Sequence, residues 1–198
     1  AKMRNGGEAC VAANRFLVHE SVAEEFATAF TARLAAFHPA RGTDPASTIG
    51  PMVDAGTREK IAALVDGAVQ DGARIALGGS ALPGPGYFYP PTVLVDVPAD
   101  ARILDEEIFG PVAPITTFRD EDQAIRLANA TPFGLVCFAY TQDLNRALRL
   151  AEELETGMLG INAGVVSNPA APFGGVKQSG LGREGGIEGI EEYLETRY

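Results

Sequence analysis

"NRFLVHESVAEEFATAFTARLAAF", residues 14–37, changes its period in the middle. "NRFLVH" (14–19) is short, apolar and carries aromatic and branched side chains, as a strand requires. From there the apolar residues fall at Val22, Phe26, Ala29, Phe30, Leu34 and Phe37, the spacing of one helical face. Ser21 and Glu24 stand as a capping box stands, which predicts a side-chain cap at the start of this helix. A strand that feeds directly into an amphipathic helix is the building block of parallel sheets with helices packed on them.

The rest of the chain repeats the alternation. "HPARGTDPASTIGPM" is a proline-bearing connection, and beyond it Ile61, Leu64, Val65 and Ala68 share one face of a second helix. "ARIALGG" reads as a short strand, "TVLVDVP" as β-branched alternation, and "PVAPITTF" (111–118) as another strand. "DEDQAIRLANA" has the acidic opening that suits a helix N-terminus. "PFGLVCFAYT" has the length and apolarity of a fully buried strand. "DLNRALRLAEELETG" is helical through Leu144, Ala147, Leu148, Ala151 and Leu154 and stops at Gly157, and "MLGIN" (158–162) is again strand-like. The expected fold class is α/β, a largely parallel sheet flanked by helices.

Composition narrows the function. An apolar fraction of 46% over 198 residues suffices for a sizeable core. A net charge of -10 with no Lys/Arg run argues against nucleic acid or an anionic membrane as partner. There is no apolar run of membrane-spanning length and "AKMRNGG" is not a signal core, so a cytoplasmic setting is the default expectation. Cys10 and Cys137 cannot form a disulfide framework, and with His19 and His38 they do not add up to a metal site.

Two cysteines invite different readings. Cys137 lies inside the apolar "GLVCFAY" and reads as structural. Cys10 lies among small and polar residues with Arg4 and Arg15 near in sequence, a setting that favours a thiolate, although a plain core cysteine fits as well. A Cys/His hydrolase would need a base that neither histidine's context suggests. "GLGREG" (180–185) satisfies the glycine pattern of a dinucleotide loop, but no strand leads into it and no acidic residue follows at the required distance. It reads as a loop whose glycines permit close backbone approach. "LDEEIFGPVAP" (104–114) is either a solvated acidic turn with a core aromatic, or a carboxylate placed to accept hydrogen bonds from ligand hydroxyls with Phe109 beside it.

Taken together, "RNGGEACVAANRFLVH", "LDEEIFGPV", "TPFGL" and "APFGGVKQSGLGREGG" resemble the C-terminal part of the aldehyde dehydrogenase superfamily, in the same order and over essentially the whole chain. The block "GINAGVVSNPAAPFGGVKQSGLGREG" with "YLETRY" is most similar to its succinate-semialdehyde dehydrogenases. The resemblance implies that Cys10 is the nucleophile, attacking an aldehyde to give a thiohemiacetal and then, after hydride transfer to NAD or NADP, a thioester. It implies that Glu107 binds the nicotinamide-side ribose, that Phe109 lies beside it and that Lys60 stands where it can reach the cofactor ribose. It further implies that Arg4 and Ser167 grip the remote carboxylate of the substrate, by charge-assisted bonds and a hydroxyl donor. Glutarate semialdehyde is the nearest rival substrate, since one methylene changes discrimination by only about 1–3 kcal/mol.

Two positions depart from the family pattern. Glu8 stands where glutamine is usual, and a carboxylate facing the thiol would oppose its ionisation. Ala12 replaces the second cysteine that some relatives use as a redox switch, so no such switch is expected. The resemblance also implies that the general base, a side chain of the oxyanion hole and the NAD(P)-binding domain precede the nucleophile and are absent from this chain. Residues 1–190 are then the nucleophile-bearing catalytic domain and residues 191–198 the start of a C-terminal oligomerisation strand. The expected chain is a piece, inactive alone, of an enzyme that forms a homo-oligomer. The alternative is an interaction or oligomerisation module that kept the fold without the catalysis.

Overall fold

The computed structural model describes all of residues 1–198, which fall into two compact units, Lys2–Ala124 and Ile125–Tyr198 with Ala1. The N-terminal unit holds strands β1 (Phe16–His19), β2 (Arg74–Leu77), β3 (Thr92–Val95) and β4 (Val112–Phe118) in one four-stranded sheet of order β1-β4-β3-β2. β1 and β3 each pair in parallel with β4, and β2 joins antiparallel at the edge. Helices α1 (Ala23–Ala35) and α2 (Ala55–Gln70) belong to the same unit.

The strand pattern explains the layering. Leu94 and Val112 pack into a cluster with Ile61, Leu64, Val65 and Ala68 of α2, whereas Val93, Val95, Ala113 and Ile115 pack with Phe26, Phe30 and Leu34 of α1. Neighbouring residues on one strand therefore enter different clusters, and the sheet is covered on both faces. β3 was expected to alternate; all four of its residues are buried instead, because a helix lies on each side. Phe30 contacts Phe16 and stacks on Phe26, with ring centroids 4.9 and 5.3 Å apart.

The expected capping box at Ser21 does not form. A 3-10 turn, Glu20–Val22, precedes α1, and Val22 gives α1 no side-chain cap. The His19 ring takes over: its Nδ1 accepts from Ser21 N–H at 3.2 Å, leaving Nε2 to donate to Arg119 O at 2.9 Å. A ring anchored to the chain beyond β4 outcompetes a local hydroxyl cap. α2 starts conventionally, with Asp54 accepting from Thr57 N–H at 2.7 Å.

Helix α3 (Glu121–Asn129) carries the chain out of the first unit. The C-terminal unit contains β5 (Phe133–Gly134), β6 (Val136–Ala139), helix α4 (Leu144–Glu153), β7 (Met158–Ile161) and β8 (Val176–Lys177). β6 and β7 form a parallel pair joined through α4, and β5 pairs antiparallel with β8. β6 is half-buried along its length, Cys137 included, where a fully buried strand was expected. In a two-stranded sheet every strand is an edge, so complete burial is not available to it. The tail expected to begin a strand is a 3-10 turn, Glu188–Tyr193, followed by residues without regular structure. Within the glycine-rich loop, a side chain at Gly174 would overlap Gly182 O, and Arg183 Nη1 donates to Gly175 O at 2.8 Å and Gly182 O at 2.7 Å. These glycines let the loop close on itself.

Candidate active site

Topology alone brings two loops together. β1 and β4 are parallel neighbours, with Phe16 opposite Ile115, so the segments that lead into their N-terminal ends run side by side. One is the Cys10 segment. The other is "EIFGP", residues 107–111.

The Cys10 segment begins with a tight turn, Arg4–Gly7, in which Asn5, Gly6 and Gly7 all take positive φ, at 47°, 64° and 83°. A Cβ at Gly7 would overlap Gly110 O, so the two loops touch backbone to backbone and only glycine fits there. Asn5 tightens the turn by donating to Glu8 O at 3.1 Å. Cys10 follows, with its thiol exposed. Arg4 is exposed too, and its guanidinium pairs with no carboxylate of the chain. The Glu8 carboxylate is engaged by Val53, whose N–H donates to Oε1 at 3.1 Å. That bond ties the Cys10 segment to the lead-in of α2.

The second loop is held from outside. Asn14 donates through Nδ2 to Glu106 O at 2.7 Å and accepts through Oδ1 from Ile108 N–H at 2.9 Å. Lys60, on α2, donates from Nζ to Glu107 O at 2.8 Å. Ile108 points inward and is fully buried, which turns its neighbours Glu107 and Phe109 out to solvent. Phe109 has φ 52°, a conformation that a bulky residue adopts only when its surroundings enforce it, at a cost of about 1–3 kcal/mol. A carboxylate and a partly exposed aromatic are thus presented side by side on a fixed, strained backbone.

Cys10, Arg4, Glu107, Phe109 and Lys60 therefore all belong to the N-terminal unit, on the Cys10 segment, its neighbouring loop and α2. Ser167 belongs to the C-terminal unit, exposed in an irregular run where Asn168 Oδ1 accepts from Ala170 N–H at 2.9 Å. Asn14 was missed in the sequence because its partners lie more than ninety positions away, at separations of 92 and 94. No group of three or more His, Cys, Asp or Glu is arranged to hold a metal ion, and no helix is long and apolar enough to cross a membrane.

The chain matches known proteins along its whole length. The family model described as "Aldehyde dehydrogenase family" covers residues 1–198. A succinate-semialdehyde dehydrogenase of Paenarthrobacter nicotinovorans is 62% identical over the full chain, which covers 44% of that protein. A glutarate-semialdehyde dehydrogenase of Pseudomonas putida is 45% identical, again over the full chain and 41% of its own length. Among solved structures, an NADP-dependent enzyme of Escherichia coli aligns over 98% of the chain and 40% of its own, with a TM-score of 0.95 and 47% identity. The chain thus spans about two-fifths of the length of these relatives.

Proposed function

Because the chain belongs to the aldehyde dehydrogenase family, we propose that it is the nucleophile-bearing catalytic part of an enzyme that oxidises succinate semialdehyde to succinate, the remaining part of the polypeptide supplying the general base and the NAD(P)-binding domain. The observation that carries the reading is the exposed Cys10 thiol on a segment pressed by Gly7 against the loop that presents Glu107 and Phe109. A packed structural cysteine has no use for that arrangement.

In this reading the Cys10 thiolate attacks the aldehyde carbon; the new C–S bond forms as the carbonyl π pair moves to oxygen, where the Cys10 backbone N–H helps to hold it. NAD or NADP, when bound, supplies the hydride acceptor. Loss of hydride from the same carbon leaves a thioester on Cys10, and water releases the acid and restores the thiol. Glu107 fits the ribose end of such a cofactor, being an exposed carboxylate on a backbone that three hydrogen bonds fix. Lys60 already spends one of its ammonium protons on Glu107 O and keeps two for a ribose hydroxyl.

Arg4 supports the choice of a carboxylated aldehyde, since its free guanidinium is an uncommitted cation on a chain of net charge -10. Ser167 adds the second donor in the same assignment. Assembly into a homo-oligomer through residues 191–198 belongs to the same reading, supported by the exposed Tyr193, Leu194 and Tyr198.

The test is iodoacetamide labelling of the chain with Cys137 as internal control, together with aldehyde oxidation by the polypeptide that includes the dinucleotide-binding part. Cys10 labels faster than the half-buried Cys137, and Cys10→Ser abolishes turnover of succinate semialdehyde with NAD or NADP. Equal labelling of the two thiols, combined with full activity of Cys10→Ser, sinks the reading. Arg4→Ala is expected to raise KM for succinate semialdehyde far more than KM for an uncharged aldehyde of equal length.

A further inference from the structure

Asn14 engages Glu106 O and Ile108 N–H with a single amide group, copying the pairing that a neighbouring strand would offer. Lys60 donates to the next carbonyl, that of Glu107. Both peptide planes that flank the Cα of Glu107 are thereby held by side chains from other segments. One tether comes from α2. The other comes from the nucleophile segment itself, from the residue four positions after Cys10. The Gly7–Gly110 contact joins the same two loops from the other side of Cys10 in sequence.

We propose that Asn14 is a positioning residue that fixes the direction of the Glu107 carboxylate relative to Cys10, and so how a dinucleotide held by that carboxylate would be presented to a substrate on Cys10. The inference rests on the assignment of Glu107 to the cofactor ribose. Ile108 anchors the loop in the core, but the two exposed functional side chains on either side of it, one of them at a strained φ, have no such anchor of their own. The amide of Asn14 supplies that anchor with two directional bonds. Hydride transfer is sensitive to small misplacements, so the effect appears in the chemical step as well as in binding.

Three variants of the enzyme that carries this chain test the proposal: Asn14→Ala, Asn14→Asp and Glu107→Ala. Asn14→Asp preserves size and the acceptor for Ile108 N–H but loses the donor to Glu106 O, so it keeps a folded comparison available should Asn14→Ala be unstable. Positioning predicts that Asn14→Ala raises KM for the dinucleotide about fivefold and lowers kcat about tenfold. Asn14→Asp falls between it and the parent. The rate of Cys10 alkylation without dinucleotide and KM for the aldehyde stay within about twofold. A substrate deuterated at the aldehyde carbon gives a larger isotope effect in Asn14→Ala than in the parent, because hydride transfer has become rate-limiting.

Parent-like dinucleotide KM and kcat in both Asn14 variants, alongside a large effect of Glu107→Ala, overturn the role of Asn14 and leave the cofactor reading standing. Equal losses in alkylation, aldehyde KM and dinucleotide KM show general disorder of the site and overturn it also. If Glu107→Ala itself leaves dinucleotide KM unchanged, the cofactor assignment falls and the positioning role falls with it.

Discussion

The two units spend their apolar residues differently. In Lys2–Ala124 the sheet is clothed on both faces, and the two hydrophobic clusters of the chain lie entirely within it. In the C-terminal unit only Ile125 and Met158 among the large apolar side chains are buried, while Leu144, Leu148, Leu181, Ile187 and Tyr193 are exposed. Both stretches contain amphipathic helices, and the apolar stripe of α4 is more sharply defined than those of α1 and α2. An apolar stripe records which face a helix can bury, and the surroundings decide whether it is buried. The unit that holds Cys10 and the Glu107–Phe109 loop is therefore also the one with a finished core.

The comparison breaks most visibly at matched positions on the apolar stripes of α2 and α4. Ile61, on α2, is fully buried, and Ile61→Ala is expected to cost about 2–5 kcal/mol through lost transfer energy and the cavity left behind. Leu148, on α4, is 57% exposed, and Leu148→Ala is expected to stay within about 0.5 kcal/mol. Urea denaturation of the two variants measures both, and similar losses would mean that α4 is covered in solution.

A second test sharpens the contrast through pH. Lys2 is 4% exposed, and burial lowers its pKa from 10.5 to about 7. From about pH 7 upward toward 10.5 the unfolded chain holds a proton on this amine that the folded chain has released, so this group makes stability rise with pH. Below about pH 7 both states are protonated and the whole cost of burying the cation remains. Lys2→Met is expected to raise the urea midpoint at pH 7 and to flatten its rise between pH 7 and pH 9, below the range of tyrosine ionisation at about 10. An unchanged slope would show that the amine reaches water.

The smallest effect touches one helix in each unit. Asp54 caps α2 and Asp143 caps α4, each with its carboxyl pKa lowered from 3.8, first by the backbone N–H it accepts, from Thr57 and from Arg146 respectively. Depressed carboxyls contribute stability that is present above their unfolded value and lost as pH falls through the folded one. Replacing either by asparagine keeps the cap and removes the proton linkage, so the acid limb of the helical circular dichroism below pH 3.8 becomes shallower in each variant. A limb that stays as steep as the parent's would mean that other carboxylates control acid unfolding.

How far the sequence could be read follows the range of the interactions. The α2 face Ile61, Leu64, Val65 and Ala68 was legible because helical period is local, and all four are buried. The strand at 111–118 was legible for the same reason and runs Val112–Phe118. The α4 stripe was equally legible as a stripe, yet nothing local states whether a partner surface exists. Ser21 followed a capping pattern, but a His19 ring bonded to Arg119, a hundred residues along the chain, displaced it. The resemblance supplied Cys10, Glu107 and Phe109 as site residues. It did not supply Asn14 or the Glu8–Val53 bond, because both are contacts between segments that no periodicity connects.

The meeting of Gly7 with Gly110 also bears on the order in which the molecule comes into being. During synthesis the thiol of Cys10 leaves the ribosome long before the backbone that shapes its surroundings. Contacts across such separations close late, after helices such as α1 have formed on their own. The nascent chain therefore carries Cys10 without its folded surroundings, which come into existence only once Asn14 and Gly7 find residues 106–110.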